Sequence, residues 1–167
     1  MALKTDIRGM VWQYPDLYVA GREQIREYAR AVKSGDPASF DEQAAAALGY
    51  HAVVAPLTFA CKFAFLIQQD FLRHVDIGME TLQILHVDQK FLYHRPILAG
   101  DALRGTLYIH SVDERFGADI VVTRSECTDS SGAPVLEAFT TMIGQQVDMS
   151  AHLRWDPVSA QHLRAPD

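Results

Sequence analysis

The chain reads as an α+β protein, a long central helix wrapped by a curved antiparallel sheet. Three observations predict this. Apolar residues recur at helical spacing through the first half. After Gly78 the period changes to two, with β-branched and aromatic residues. The later segments are joined by short, turn-rich connections, as in a meander, and such segregation of helices from strands marks the α+β class. At 167 residues the chain suits a single core, assigned to residues 1–150, with residues 151–167 as a partly ordered C-terminal tail.

Ile25, Tyr28, Ala29 and Val32 fall at i, i+3, i+4 and i+7, which predicts an amphipathic helix over Arg22 to Val32. Lys33-Ser34-Gly35-Asp36-Pro37 ends it through glycine and proline. Asp41 is placed to cap a second helix over Glu42 to Leu48, stopped by Gly49. From Leu57 to about Val75 apolar groups surround Lys62, Gln68, Gln69 and Asp70 with little amphipathic relief, so this helix is expected to be buried on nearly all sides. Strands follow over Leu82 to Tyr93, Ala102 to Val112, Ala118 to Thr128 and Val135 to Gln145. In the first of them Leu82, Ile84, His86, Asp88, Lys90 and Leu92 share one side of the alternation. The connections Pro96 to Asp101, Arg115-Phe116-Gly117 and Asp129 to Pro134 carry turn chemistry.

Composition removes several function classes. The formal charge of −6 argues against a nucleic-acid binder, which needs a basic excess to replace phosphate counterions. Cys61 and Cys127 stand far apart without CxxC or spaced-histidine patterns, so neither a disulfide nor a zinc site is indicated. Residues 1–10 carry Lys4, Asp6 and Arg8 and no apolar run, unlike a secretory signal, which predicts a cytoplasmic protein. The longest apolar stretch, Leu57 to Ile67, contains Lys62 and is too short to span a bilayer.

The stretch from Tyr28 to Phe59 carries the functional signal. It reads Tyr28-Ala29, a spacer, Gly35-Asp36-Pro37-Ala38-Ser39-Phe40-Asp41, then Gly49-Tyr50 and Ala55-Pro56-Leu57-Thr58-Phe59. This resembles the active-site segment of the hot-dog-fold R-specific enoyl hydratases and (3R)-hydroxyacyl dehydratases, the MaoC-like family. Anchored without a gap on Tyr28, Pro37 and Asp41, the family's catalytic Asp falls on Ser34 and its catalytic His on Ser39. Neither serine titrates near neutral pH. The runs Met1 to Met10, Ala55 to Phe59, Val87-Asp88-Gln89, Leu98 to Asp101 and Ser111 to Gly117 are similar to the non-catalytic subunits of heterodimeric (3R)-hydroxyacyl-ACP dehydratases of mycolic-acid elongation.

The resemblance implies a hot-dog fold and a catalytically silent subunit. Its partner would be a catalytic hot-dog dehydratase subunit in a heterodimer, its substrate a long 3-hydroxyacyl chain on acyl carrier protein, and no cofactor or metal would be required. Dehydration needs a base for the C2 proton, an acid for the C3 hydroxyl and donors for the thioester oxygen, and the partner would supply the Asp and His. Asp36 with His51 is the alternative acid–base pair; otherwise Asp36 is a turn residue and His51 a solvated loop residue. Phe59, Cys61, Phe63 and Ala64 are either plain core or the lining of an acyl channel. Arg22, Arg26, Arg30 and Lys33 form a basic stripe, either a carrier-protein dock or a solvated face beside Glu23 and Glu27. His86, His94 and His110 lie on strands and read as cross-strand partners, and Asp101 as a turn residue. From another class, a stand-alone acyl-binding or regulatory homodimer would share the same fold.

Overall fold

The structure, a computed structural model, describes residues 3–78, 82–146, 153–156, 158 and 161–164. Short strands β1 (Val11–Gln13) and β2 (Tyr18–Val19) precede α1 (Arg22–Ala31), a 3₁₀ turn at Pro37–Ser39 and α2 (Glu42–Ala47). A second 3₁₀ turn at Leu57–Phe59 leads into the long helix α3 (Ala60–His74). Then come β3 (Leu82–Tyr93), β4 (Ala102–Arg115), β5 (Ala118–Thr128) and β6 (Pro134–Gln146). The architecture is the α+β arrangement expected.

All ladders are antiparallel, in the order β1-β4-β5-β6-β3, with β2 also on β4. The sequence reading contains neither β1 nor β2, because two or three residues are too few for a period of two to register. β7 (Leu153–Asp156) and β8 (Gln161–Arg164) pair with each other, so part of the expected tail is a regular ladder. Residues 147–152, 157, 159–160 and 165–167 of that tail lie outside the described residues.

The helix boundaries have local causes. Asp41 caps α2, its Oδ1 accepting the Gln43 N–H at 2.7 Å. α1 ends earlier than its glycine suggested. Lys33 takes the left-handed conformation at φ +54°, its N–H donating to Arg30 O at 3.1 Å while Ser34 N–H donates to Ala29 O at 2.8 Å. That is a Schellman ending built on lysine.

α3 lies on the inner face of the sheet. Phe59, Phe63 and Ile67 are fully buried in one cluster with Leu103, Leu107 and Val135. Two bulges set which strand residues join them. In β3 the register shifts between His86 and Asp88, and in β4 between Ile109 and Ser111. The β3 bulge breaks the simple alternation expected there: Ile84 is half-buried before it, and Gln89, Phe91 and Tyr93 after it, while Asp88, Lys90 and Leu92 are exposed. One inserted residue inverts the sidedness of the strand.

The two sheet edges are treated differently. Beside β4 the chain places only very short strands with Pro15 between them, a blunted edge. At the other end β3 runs for 12 residues with no further strand beside it among the described residues. Leu85, Val87 and Leu92 of β3 are exposed, as are Leu57 (68 %) and Phe65 (56 %) by α3. The central helix is therefore not buried on nearly all sides within this chain. No helix among the described residues is long and apolar enough to cross a membrane.

Candidate functional site

The segment onto which the sequence resemblance places acid–base positions is held by structural bonds. Ser39, on the first 3₁₀ turn rather than on loop, is 2 % exposed, and its hydroxyl donates to the Val54 carbonyl at 2.7 Å. The Val54 N–H donates to Ala38 O at 2.9 Å, so the same two strands of chain are stitched from both sides. Ser34 sits just past α1, its Oγ accepting the Asp36 N–H at 3.4 Å. Asp36 caps the 3₁₀ turn, Oδ1 accepting from Ala38 N–H at 3.0 Å. Asp36 and His51 are both exposed, and no hydrogen bond or ion pair joins them.

A second layer fixes this segment to the sheet. Val54 bridges Leu98, Ala55 N–H donates to Ile97 O, and Ala99 N–H donates to Val53 O. The Pro96 to Asp101 connection is itself locked by Asp101. Its carboxylate accepts from Arg95 at 2.6 and 3.1 Å and from the Leu98 N–H at 2.8 Å. Asp101 is thus a turn-locking residue. Arg95 also reaches Asp129 at 3.4 Å. The Ser131 hydroxyl and the Ser131 and Ala133 N–H groups, with Arg95, hold the Asp129 carboxyl down at about 2.

Two tyrosines fix the start of α3. Tyr28 OH donates to Thr58 O at 2.9 Å, and Tyr93 OH donates to Leu57 O. Tyr28 also meets Phe59 edge to face at 5.4 Å. Burial pushes the Tyr93 phenol well above its ordinary value, with the nearby Cys61, Cys127 and Tyr28 adding to the effect, so it remains a donor at neutral pH. Sequence reasoning gave neither tyrosine this role. The pair converges only because β3 and α1 meet at the head of α3, and nothing in local spacing signals that.

The four channel candidates separate. Phe59, Phe63 and Ala64 are buried, with Phe63 stacked on Tyr18 at 5.0 Å and meeting Tyr14 edge to face. Cys61 is half-buried next to Tyr93, and burial raises its thiol pKa. It shares a stripe of α3 with Phe65 and Leu72 at i, i+4 and i+11; Leu72 borders one cavity with Ile84 of β3, and Phe65 between them is exposed.

The basic stripe also divides. Arg22 pairs with Glu42 and, at 2.7 Å, with Glu23. Arg26 donates to the Phe40 carbonyl at 2.5 Å and to Glu23 and Glu42 at 3.2 Å. Both guanidinium groups thereby clamp α1 to the start of α2. Arg30 and Lys33 remain exposed. The histidines are separate: His86 meets the Asp88 carbonyl, His94, just past the end of β3 rather than on a strand, lies 3.7 Å from Glu137, and His110 packs on Phe139. No cluster of metal-ligating side chains occurs among the described residues.

Comparisons with known proteins agree with this fold. The family model described as FAS1-like, dehydratase domain region, matches residues 9–138. A UPF0336 protein of Mycobacterium tuberculosis (strain H37Rv) is 63 % identical over 164 residues, covering 98 % of this chain and 99 % of its own. The crystal structure of the C-terminally truncated HadBC (3R-hydroxyacyl-ACP dehydratase) complex from Mycobacterium tuberculosis contains a chain 60 % identical, with a TM-score of 0.81, covering 85 % of this chain and 100 % of that one. A MaoC-like dehydratase is 32 % identical at a TM-score of 0.79, over 97 % of this chain and 52 % of its own.

Proposed function

The chain belongs to the FAS1-like dehydratase-region family with a hot-dog fold, and on that premise we propose that it is the non-catalytic subunit of a heterodimeric (3R)-hydroxyacyl-ACP dehydratase. It acts in the cytoplasm on long acyl chains of the mycolic-acid type. The observation that carries this reading is Ser39, buried where the family places its histidine, with its only proton directed at the Val54 carbonyl. A group so engaged neither removes the C2 proton nor protonates the leaving hydroxyl. The acid and base come from the partner.

The open β3 edge and the exposed Leu57, Phe65, Leu85 and Val87 support a second hot-dog subunit as that partner. A twelve-residue free edge with apolar neighbours is stabilised when another sheet edge covers it. This chain then contributes the wall against which the acyl chain lies, along the Cys61, Phe65, Leu72 stripe. Arg30 and Lys33, the two unneutralised members of the basic stripe, are the groups that would meet an acidic carrier protein.

The test is co-expression with a catalytic hot-dog subunit, followed by hydration of a long enoyl thioester. The complex is expected to turn over and the isolated chain to be inactive. Turnover by the isolated chain that disappears in Asp36→Asn or His51→Ala would assign the chemistry to this chain. Failure to bind any such partner, with stable self-association, would leave an acyl-binding homodimer.

A further inference from the structure

The N-terminal segment Leu3 to Arg8 closes one end of the interior. It crosses the C-terminal end of α3, where Lys4 N–H donates to Ile77 O at 3.1 Å, Lys4 Nζ pairs with Asp76 at 2.5 Å, and the Thr5 hydroxyl reaches the Asp76 carbonyl. Its start is tied to the sheet, because Leu3 N–H donates to the carboxylate of the fully buried Asp119 at 2.7 Å. Beneath this strap lies a cavity of about 20 Å³. Leu3 and Ile7 form its roof, with Phe71 and Leu72 from α3 and Ile84 and Met142 from the sheet.

The cavity suits the end of an aliphatic chain. Its lining is apolar, and the hydroxyl of Thr123, which also borders it, already accepts from Gln68 Nε2 at 3.2 Å. Such a space stays dry and rewards a methyl or methylene group rather than water. It also meets the Cys61, Phe65, Leu72 stripe, since Leu72 belongs to both. Cys61 lies beside Tyr93 at one end of α3, and Leu72 meets Ile84 at the other. The rise of α3 from Cys61 to Leu72 sets these two points about 16 Å apart, the reach of a long acyl chain and not of a short one.

We infer that the Leu3 to Arg8 strap is the end wall of the acyl groove, and that Leu3 and Ile7 over the apolar cavity set the longest chain the enzyme accepts. This rests on the reading of the chain as an acyl-wall subunit. The strap is suited to being a displaceable wall. Its Lys4–Asp76 pair is exposed and so a weak latch. A longer chain that displaces Leu3 and Ile7 from the core must also break the Leu3 N–H bond to Asp119 and the Lys4 N–H bond to Ile77.

The test uses the co-expressed heterodimer and a series of trans-2-enoyl pantetheines. Leu3→Ala deepens the groove, and the long-to-short ratio of kcat/KM should rise roughly fourfold for each further methylene buried. Ile84→Phe fills the cavity, and the same ratio should fall while short substrates are turned over normally. As a readout independent of turnover, saturated palmitoyl-pantetheine should speed amide exchange in residues 3–8, and butyryl-pantetheine should not. An active heterodimer whose length profile and exchange are unmoved by Leu3→Ala and by palmitoyl-pantetheine would overturn the end-wall assignment and leave the subunit reading standing. A heterodimer inactive at every length defeats the subunit reading, and in that case palmitoyl-pantetheine binding by calorimetry decides the wall: affinity changed by Leu3→Ala upholds it, unchanged or absent affinity overturns it.

Discussion

Gly105 of β4 lies directly under Ile67 of α3. A Cβ at position 105 would meet Phe63 Cζ at 2.9 Å and Ile67 Cδ1 closer still. The helix therefore rests on bare backbone at this point. Gly105→Ala should destabilise the protein by about 1–3 kcal/mol through overpacking, and Gly105→Ala with Ile67→Val should recover part of the loss. Urea unfolding of both variants checks this; additive losses would show that the two residues do not share the space.

Ser39→Ala should separate structure from chemistry. The change leaves the half-buried Val54 carbonyl without its hydroxyl donor, at a cost of about 1 kcal/mol. kcat of the partnered complex, measured on folded protein at low temperature, should stay unchanged. A large loss of kcat with stability intact would place Ser39 in the reaction.

Lys33→Gly should stabilise the chain by about 0.5–1 kcal/mol, since position 33 sits at φ +54° with an exposed side chain. Thermal unfolding reads the gain. The same substitution removes one of the two free cations of the α1 stripe, so weaker carrier-protein binding with higher stability would identify Lys33 as a docking residue.

Phe116 presents a similar strain at the β4–β5 hairpin. It is fully exposed at φ +54°, followed by Gly117 at φ +76°, in a two-residue loop between the paired Arg115 and Ala118. Both central residues at positive φ is the requirement of a type I′ turn, which favours Asn-Gly. Phe116→Asn should raise the unfolding midpoint; a fall would show that the ring is held by contacts made in the assembled enzyme.

The Asp129 carboxyl, held at about 2 by Ser131, the loop N–H groups and Arg95, predicts the acid limb of stability. A depressed carboxyl stabilises the fold fully above its unfolded value of about 3.8, and that contribution is lost as pH falls through its folded value. Asp129→Asn should therefore flatten the pH dependence of unfolding between about pH 4 and about pH 2. Denaturation at a series of acidic pH values tests the change in slope.

Residue pattern alone set the fold class and the order of the long elements, from α1 to β6, though not the short strands β1 and β2 or the β7–β8 ladder. Helical spacing in Ile25, Tyr28, Ala29 and Val32, the cap at Asp41 and the turn residues around Gly100, Gly117 and Gly132 act over a few residues, so they are visible before folding. The serines at positions 34 and 39 were legible for the same reason, as residue types within one short run. Which side chains share an environment was not legible. The β3 bulge that turns Gln89, Phe91 and Tyr93 inward, the convergence of Tyr28 and Tyr93 on the head of α3, and the burial of Phe59, Phe63 and Ala64 away from the Cys61 stripe are decided by pairings between segments far apart in the chain. The strap from Leu3 to Arg8 over α3 and Asp119 belongs to the same class. Local propensity fixes what a segment becomes; packing against distant segments, whose energies are summed only in the closed fold, fixes what each side chain faces.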